Sequence, residues 1–319
     1  MRVLVTGSSG FVGAKLLKVL AEKKCIDVLA TTRRAPLDCP SPVRMLKDCV
    51  VSTSMDWRPH LNGVNVVIHA AARVHIMNDL ESNPLEAFRA VNVQGTMRLA
   101  EQAAEMGVGR FIFLSSVKVN GESTTYDEAY TPDAVPAPVD PYGISKMEAE
   151  VELQALADRT GMEVVIIRPV LVYGPGVKAN FLSMMKWLYN GVPLPFGAIH
   201  NSRSLVALDN LVDLIVLCIG HPGAANQIFM VSDGEDLSSS ELLSRMAYAL
   251  NKPARLFPVP AKLLDVCARL IGKPQLSQRL CGSLRVDISK TRDILGWKPV
   301  ITVDSALKET AAHFLENRK

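Results

Sequence analysis

Tyr142 and Lys146 stand four residues apart in the stretch Asp140-Pro141-Tyr142-Gly143-Ile144-Ser145-Lys146. On a helix that spacing puts both side chains on one face. Asp140 suits an N-cap and Pro141 a first turn, so a helix is predicted over residues 142–157. An ammonium beside a phenol stabilises the phenolate and pulls down a pKa that starts at about 10. Tyr142 would then serve as an acid or base near neutral pH. Taken alone, Tyr-x-x-x-Lys equally describes an amphipathic surface pair. Upstream, Phe111-Ile112-Phe113-Leu114-Ser115-Ser116 closes an apolar strand with two hydroxyls. Ligands of open parallel sheets lie at strand carboxyl ends, where a serine can bond the oxygen whose proton is moving.

A second group of residues could hold a dinucleotide. Thr6-Gly7-Ser8-Ser9-Gly10-Phe11-Val12-Gly13 follows the first strand and opens a helix. Glycines at intervals of three let backbone N–H groups of Gly7, Ser9, Gly10, Phe11, Val12 and Gly13 approach a pyrophosphate at the helix N-terminus. The bland alternative is a turn with close helix–strand packing. The second strand ends Ala30-Thr31-Thr32-Arg33-Arg34, with no acid before Asp38. A ribose 2′-hydroxyl usually meets a carboxylate at this point, whereas a 2′-phosphate needs a cation. Arg33 and Arg34 therefore predict NADP(H) in preference to NAD(H), against the alternative of two solvated loop arginines. Asp48 is placed to accept from an adenine amino group, or is a turn aspartate.

These residues need a scaffold. Arg2–Thr6, Asp27–Thr31 and residues 64–69, 111–114 and 164–167 are short apolar strand candidates. Helical spacing runs over residues 12–21, 85–104 and 142–157 between them. Continuous apolar strands alternating with amphipathic helices predict an α/β, doubly wound parallel sheet. Prolines punctuate shorter elements after about Gly174. Two units are expected: residues 1–173 binding the dinucleotide, and 174–319 mainly binding substrate, with some segments returning to the first.

The 319 residues carry 35 basic and 32 acidic side chains, net +3, with 48% apolar and 21% charged residues. That balance excludes a disordered chain and gives no nucleic-acid footprint. No apolar run reaches the roughly 18–20 residues of a membrane span. The first strand begins without a visible signal peptide. Six dispersed cysteines with no Cys-x-x-Cys suit reduced thiols of a cytoplasmic protein and no metal site.

Glycine loop, strand-end serines and Tyr-x-x-x-Lys in this order form a specific pattern. The chain resembles the extended short-chain dehydrogenase/reductases, in their nucleotide-sugar epimerase/dehydratase branch. The likeness extends to His69-Ala70-Ala71-Ala72, Asn92-Val93-Gln94-Gly95-Thr96, Arg168-Pro169-Val170-Leu171-Val172-Tyr173-Gly174-Pro175-Gly176, Leu194-Pro195-Phe196-Gly197, Val286-Asp287-Ile288-Ser289-Lys290 and Leu295-Gly296-Trp297-Lys298-Pro299. It implies a Rossmann-type sheet with a smaller mixed C-terminal region, a cofactor lined also by Ala70, Ala71, Ser115 and Val170, and a UDP-sugar substrate. By the same resemblance Tyr142 is the acid/base on the sugar C4 oxygen. Lys146 tunes it and holds the nicotinamide ribose, and Ser116 shares the substrate hydrogen bond. Asn92 supports the active-site backbone. Asn180, Arg203 and, more weakly, Arg279 meet the diphosphate, while Leu194 and Phe196 line the uracil. Residues 85–104 and 142–157 match helices that pair in a homodimer, although their spacing also suits packing on the sheet.

Departures from the family pattern narrow the chemistry. Dehydratases carry an Asp-Glu pair where this chain has Val117 and Lys118, so dehydration is disfavoured. Val119-Asn120-Gly121 lacks the aromatic of many epimerases. Arg73 and His75 either enter the site or are solvated. Hydride transfer at C4 of a UDP-sugar is common to 4-keto reductases and 4-epimerases; the arginine pair leans narrowly to a UDP-4-keto-hexosamine reductase. Other classes are an enzyme of lipophilic alcohols, with no need of Arg203, and a dinucleotide sensor, with no need of Tyr142, Ser116 and Lys146 together.

Overall fold

β-Branched and aromatic runs too short for helices build the centre of the molecule. The computed structural model describes residues 1–32, 41–74, 83–270 and 280–318. Seven strands form one sheet: β1 (Arg2–Thr6), β2 (Asp27–Thr31), β3 (Arg44–Leu46), β4 (Val66–His69), β5 (Arg110–Leu114), β6 (Glu163–Pro169) and β9 (Gln227–Val231). Their order is β3-β2-β1-β4-β5-β6-β9, and every pairing is parallel. The expected doubly wound α/β sheet is present. Strand order reverses between β1 and β4, which opens a crevice beyond their carboxyl ends.

Side chains alternate across the sheet, and both faces are covered. On one side Val3, Val5, Ile68, Ile112 and Val165 pack with helix α1 (Phe11–Ala21) and helix α7 (Leu208–Cys218). On the other, Leu4, Val67, Phe111 and Phe113 meet helix α4 (Thr96–Glu105) and helix α5 (Pro141–Thr160). α5 begins at the Asp140 cap and ends at Gly161 with φ +75°. The helical run expected over residues 85–104 is interrupted: α3 (Pro84–Arg89) widens into a π-helical stretch, Ala90–Gly95, before α4. Such stretches often mark functional positions.

A second core gathers helix α6 (Ala179–Tyr189), helix α8 (Ser239–Ala249) and the last helix, α11 (Val303–Glu316). Beside it lies a three-stranded sheet of β7 (Leu171–Tyr173), β8 (Arg203–Ala207) and β10 (Asp236–Leu237). β7 thus joins the small sheet although it precedes residue 174, while α7 and β9 return to the large one. No helix among the described residues is long and apolar enough to cross a membrane, and none of their His, Cys, Asp and Glu side chains cluster as a metal site.

Candidate active site

The glycine loop turns out of β1 directly onto the backbone after β4. Gly7 has φ +72°, and a Cβ there would stand 2.5 Å from Ala71 N and 2.7 Å from Ala70 O. A Cβ on Gly13 would collide with Gly7 O. Both glycines therefore serve close packing. Gly10 is different: it is exposed, its Cβ position meets only Gly7 O, and as N-cap of α1 it supplies no side-chain cap. At the start of α1 Ser9 is exposed and Phe11 and Val12 are half-buried. This arrangement fits a dinucleotide pyrophosphate. At the end of β2, Thr31 and Thr32 are buried, and Ser8 Oγ donates to Thr31 O at 2.7 Å. Arg33, Arg34, His75 and Arg279 lie outside the described residues. Asp48 is exposed in a left-handed turn, φ +58°.

β4 ends in His69, wholly buried between Thr6 Oγ1 at 2.7 Å and Thr96 Oγ1 at 2.9 Å. Burial, helped by the nearby Lys146 charge, pulls its pKa down to about 3, so the ring is a neutral strut. Asn92, from the π-helical stretch, closes the chain after β4. Its amide accepts from Arg73 N at 2.8 Å and donates to Arg73 O and Ser145 Oγ, each at 3.0 Å. Arg73 lies over the Phe88 ring at 5.6 Å, and Phe88 meets the Tyr142 ring edge-on at 6.1 Å. Asn92 thus ties the backbone after β4 to the first turns of α5.

Tyr142 and Lys146 project from the first turns of α5 toward the carboxyl end of β5. Lys146 is 1% exposed; its ammonium donates to Leu114 O at 2.8 Å and stands over the Phe113 ring at 4.3 Å. It lies 6.0 Å from the centre of the half-buried Tyr142 ring. Desolvation pushes the lysine pKa down to about 7, with Glu150 opposing. The phenol is moved up rather than down, first by burial and then by the Asp140 charge. Spacing gives the proximity of ammonium and ring, whereas the upward direction comes from burial of the phenol and from the neighbouring carboxylate. Ser116, just past β5, is half-buried and accepts from Lys118 N at 3.2 Å.

Folding must leave part of the Lys146 charge behind. The unfolded chain holds that proton up to about 10.5 and the folded chain only to about 7, so the cost is full below pH 7 and fades as pH rises between these values. Lys146→Met is therefore expected to abolish turnover yet raise the thermal midpoint, more at pH 6 than at pH 10. Calorimetry at the two pH values checks this, and an equal effect at both would contradict it.

A buried polar network lies behind the lysine and was not foreseen. Glu150 follows Lys146 by one further turn of α5 and is 2% exposed, as is Arg168 of β6. The guanidinium donates Nε to both Glu150 oxygens at 3.0 and 3.1 Å, and Nη1 to Asn120 Oδ1 and Pro132 O, each at 3.1 Å. Ser115, 3% exposed, donates its hydroxyl to Glu150. The i, i+4, i+8 ladder Tyr142–Lys146–Glu150 was the available signal. Val170, just beyond β6, is buried.

The residues expected around the sugar nucleotide belong to the C-terminal half. Asn180 is exposed in the first turn of α6. Leu194 is buried and pairs with Leu256, while Phe196 is half-buried. Arg203 opens β8 and donates to Gly282 O at 2.8 Å. Among the described residues its side-chain partner is that carbonyl, not a carboxylate, and desolvation lowers its pKa.

Comparisons with known proteins agree on one group. The pattern of the NAD dependent epimerase/dehydratase family matches residues 3–232. A protein of Vibrio cholerae named UDP-glucose 4-epimerase is 49% identical over 315 residues, 98% of this chain and 95% of that protein. The fold is shared with UDP-glucuronic acid 4-epimerase from Bacillus cereus, solved with NAD, at a TM-score of 0.80 and 20% identity over 99% of this chain and 97% of the other. It is shared also with UDP-glucose 4-epimerase from Thermotoga maritima, solved with UDP-glucose, at 0.78 and 22% identity, both chains fully covered.

Proposed function

The chain belongs to the NAD-dependent epimerase/dehydratase family and is an enzyme of the extended short-chain dehydrogenase/reductase type; from that premise we propose that it moves hydride at C4 of a UDP-linked hexose and runs as a 4-epimerase. One observation carries the proposal: α5 brings Tyr142 and a buried Lys146 to the end of β5, where Ser116 follows. A bound nicotinamide dinucleotide supplies the hydride acceptor and donor. Tyr142 takes the proton of the C4 hydroxyl as the carbonyl forms and returns it as the alcohol is restored. Ser116 hydrogen-bonds the same oxygen, and Lys146 stabilises negative charge developing there. Arg203, a guanidinium without an ion partner among the described residues, suits the diphosphate, since charge buried in a cleft needs a counter-charge.

The Vibrio cholerae relative supports epimerisation over the net 4-keto reduction to which the arginine pair leaned. Incubation with UDP-hexoses and UDP-4-keto sugars, with NADH and NADPH, decides between them. Interconversion without net cofactor oxidation supports the epimerase, stoichiometric oxidation the reductase, and inertness toward every UDP-sugar overturns both. NADP(H) preference rests on Arg33 and Arg34 and on the lack of a carboxylate in Thr31-Thr32. Tighter NAD(H) binding, unmoved by Arg33→Ala, would remove it. Arg203→Ala is expected to weaken UDP binding by about 10–100-fold, the loss of a charge-assisted contact, as read by calorimetry. Unchanged UDP affinity would take Arg203 out of the site.

A further inference from the structure

Lys118 stands where dehydratases carry an acid, and its contacts give it a use. The turn Val117–Val119 follows Ser116. The Lys118 ammonium bonds Glu122 Oε1 at 3.0 Å and, more closely, Asp140 Oδ2. The other oxygen of Asp140 accepts from Gly143 N at 2.7 Å and so caps α5. Both carboxylate oxygens are occupied, and Asp140 cannot swing toward Lys118 alone without uncapping the helix. Backbone contact reinforces the link, because a Cβ on Gly143 would lie 2.7 Å from Lys118 O.

An acidic cap suits the positive end of α5. It also sets an anion two residues from a phenol that must carry negative charge in the reaction, and that anion helps push the phenol upward. We propose that Lys118 is a positioning residue for Tyr142, its ammonium fixing the Asp140 carboxylate and offsetting its charge so that the phenol works beside a paired anion. The inference rests on the proposed acid/base role of Tyr142. Few other charges are available for that work. On α5, Lys146 is bound to Leu114 O. On α3, Arg89 is taken by Glu86 and by Glu148 of α5. After β4, Arg73 lies over Phe88, and beyond the turn Glu122 is held by Lys118 itself.

A partly exposed ion pair of merely structural value would leave the phenol titration where it is. The test therefore compares Lys118→Met, Asp140→Asn and the double variant, each saturated with NAD and, separately, with NADP. Tyrosinate absorbance is titrated in each, less the same variant carrying Tyr142→Phe, beside the pH dependence of kcat. In Lys118→Met the phenol titration and the acid limb of kcat are expected to move up by about one pH unit, with KM little altered. Asparagine still caps the helix, so the double variant should return to the wild-type profile, and Asp140→Asn alone should titrate below wild type. An unmoved phenol in Lys118→Met, or a shift that persists in the double variant, overturns the proposal. Should Lys118→Met fail to fold, an unmoved titration in Asp140→Asn overturns it equally. If the wild-type enzyme turns over no UDP-sugar, the functional reading falls, while the absorbance titration still judges Lys118.

Discussion

Tyr142→Phe is expected to lower turnover of UDP-hexoses by about 10²–10⁴-fold, the contribution of one positioned acid/base group, and to leave dinucleotide affinity within a few-fold. The change removes a single hydroxyl and keeps the ring that meets Phe88 edge-on, so thermal stability should barely move. Steady-state kinetics with fluorescence titration of the dinucleotide separates the two quantities. A rate within a few-fold of wild type would remove the phenol from the chemistry and favour a protein that binds dinucleotide without transforming sugar.

The second large effect concerns stability. Arg168→Met is expected to destabilise the fold by about 3–5 kcal/mol, the cost of leaving a buried charge unpaired. Glu150 would lose its charged partner at 2% exposure and keep only the Ser115 hydroxyl and the opposing Lys146 nearby. Replacing both members by apolar residues, Arg168→Met with Glu150→Leu, should recover most of the loss, because such pairs exchange for hydrophobic contact at little net cost. Urea midpoints of the three proteins measure it. A single variant as stable as wild type would mean that the pair is hydrated rather than buried.

Much of this was legible in the sequence where the determinant is local. The strand-end serines, the capped start of α5 and the same-face placement of Tyr142 and Lys146 follow from spacing within about fifteen residues. The sign of the phenol shift did not, because it depends on the depth of the site and on the acid that caps the helix. Glu150 was one helical turn beyond a residue already singled out, yet its partner comes from β6, and strand pairing at that distance leaves no trace in local spacing. In the sequence Lys118 stands out by what it lacks, a carboxylate, whereas its interest lies in reaching Asp140, 22 residues along the chain. The single helix expected over residues 85–104 carries a π-helical stretch because Asn92 has to face the chain after β4 while Leu99 and Ala103 face the core.

That stretch sets a rule for how the enzyme can change over evolution. A π-helical turn takes in about one residue more than an α-helical turn, so deleting one residue between 90 and 95 would restore an unbroken α-helix with its two halves facing nearly as before. Phe88 and Leu99 would keep their places. The loss would fall on Asn92 and its three bonds to the Arg73 backbone and Ser145. The inherited constraint at this point of the chain is the extra residue itself.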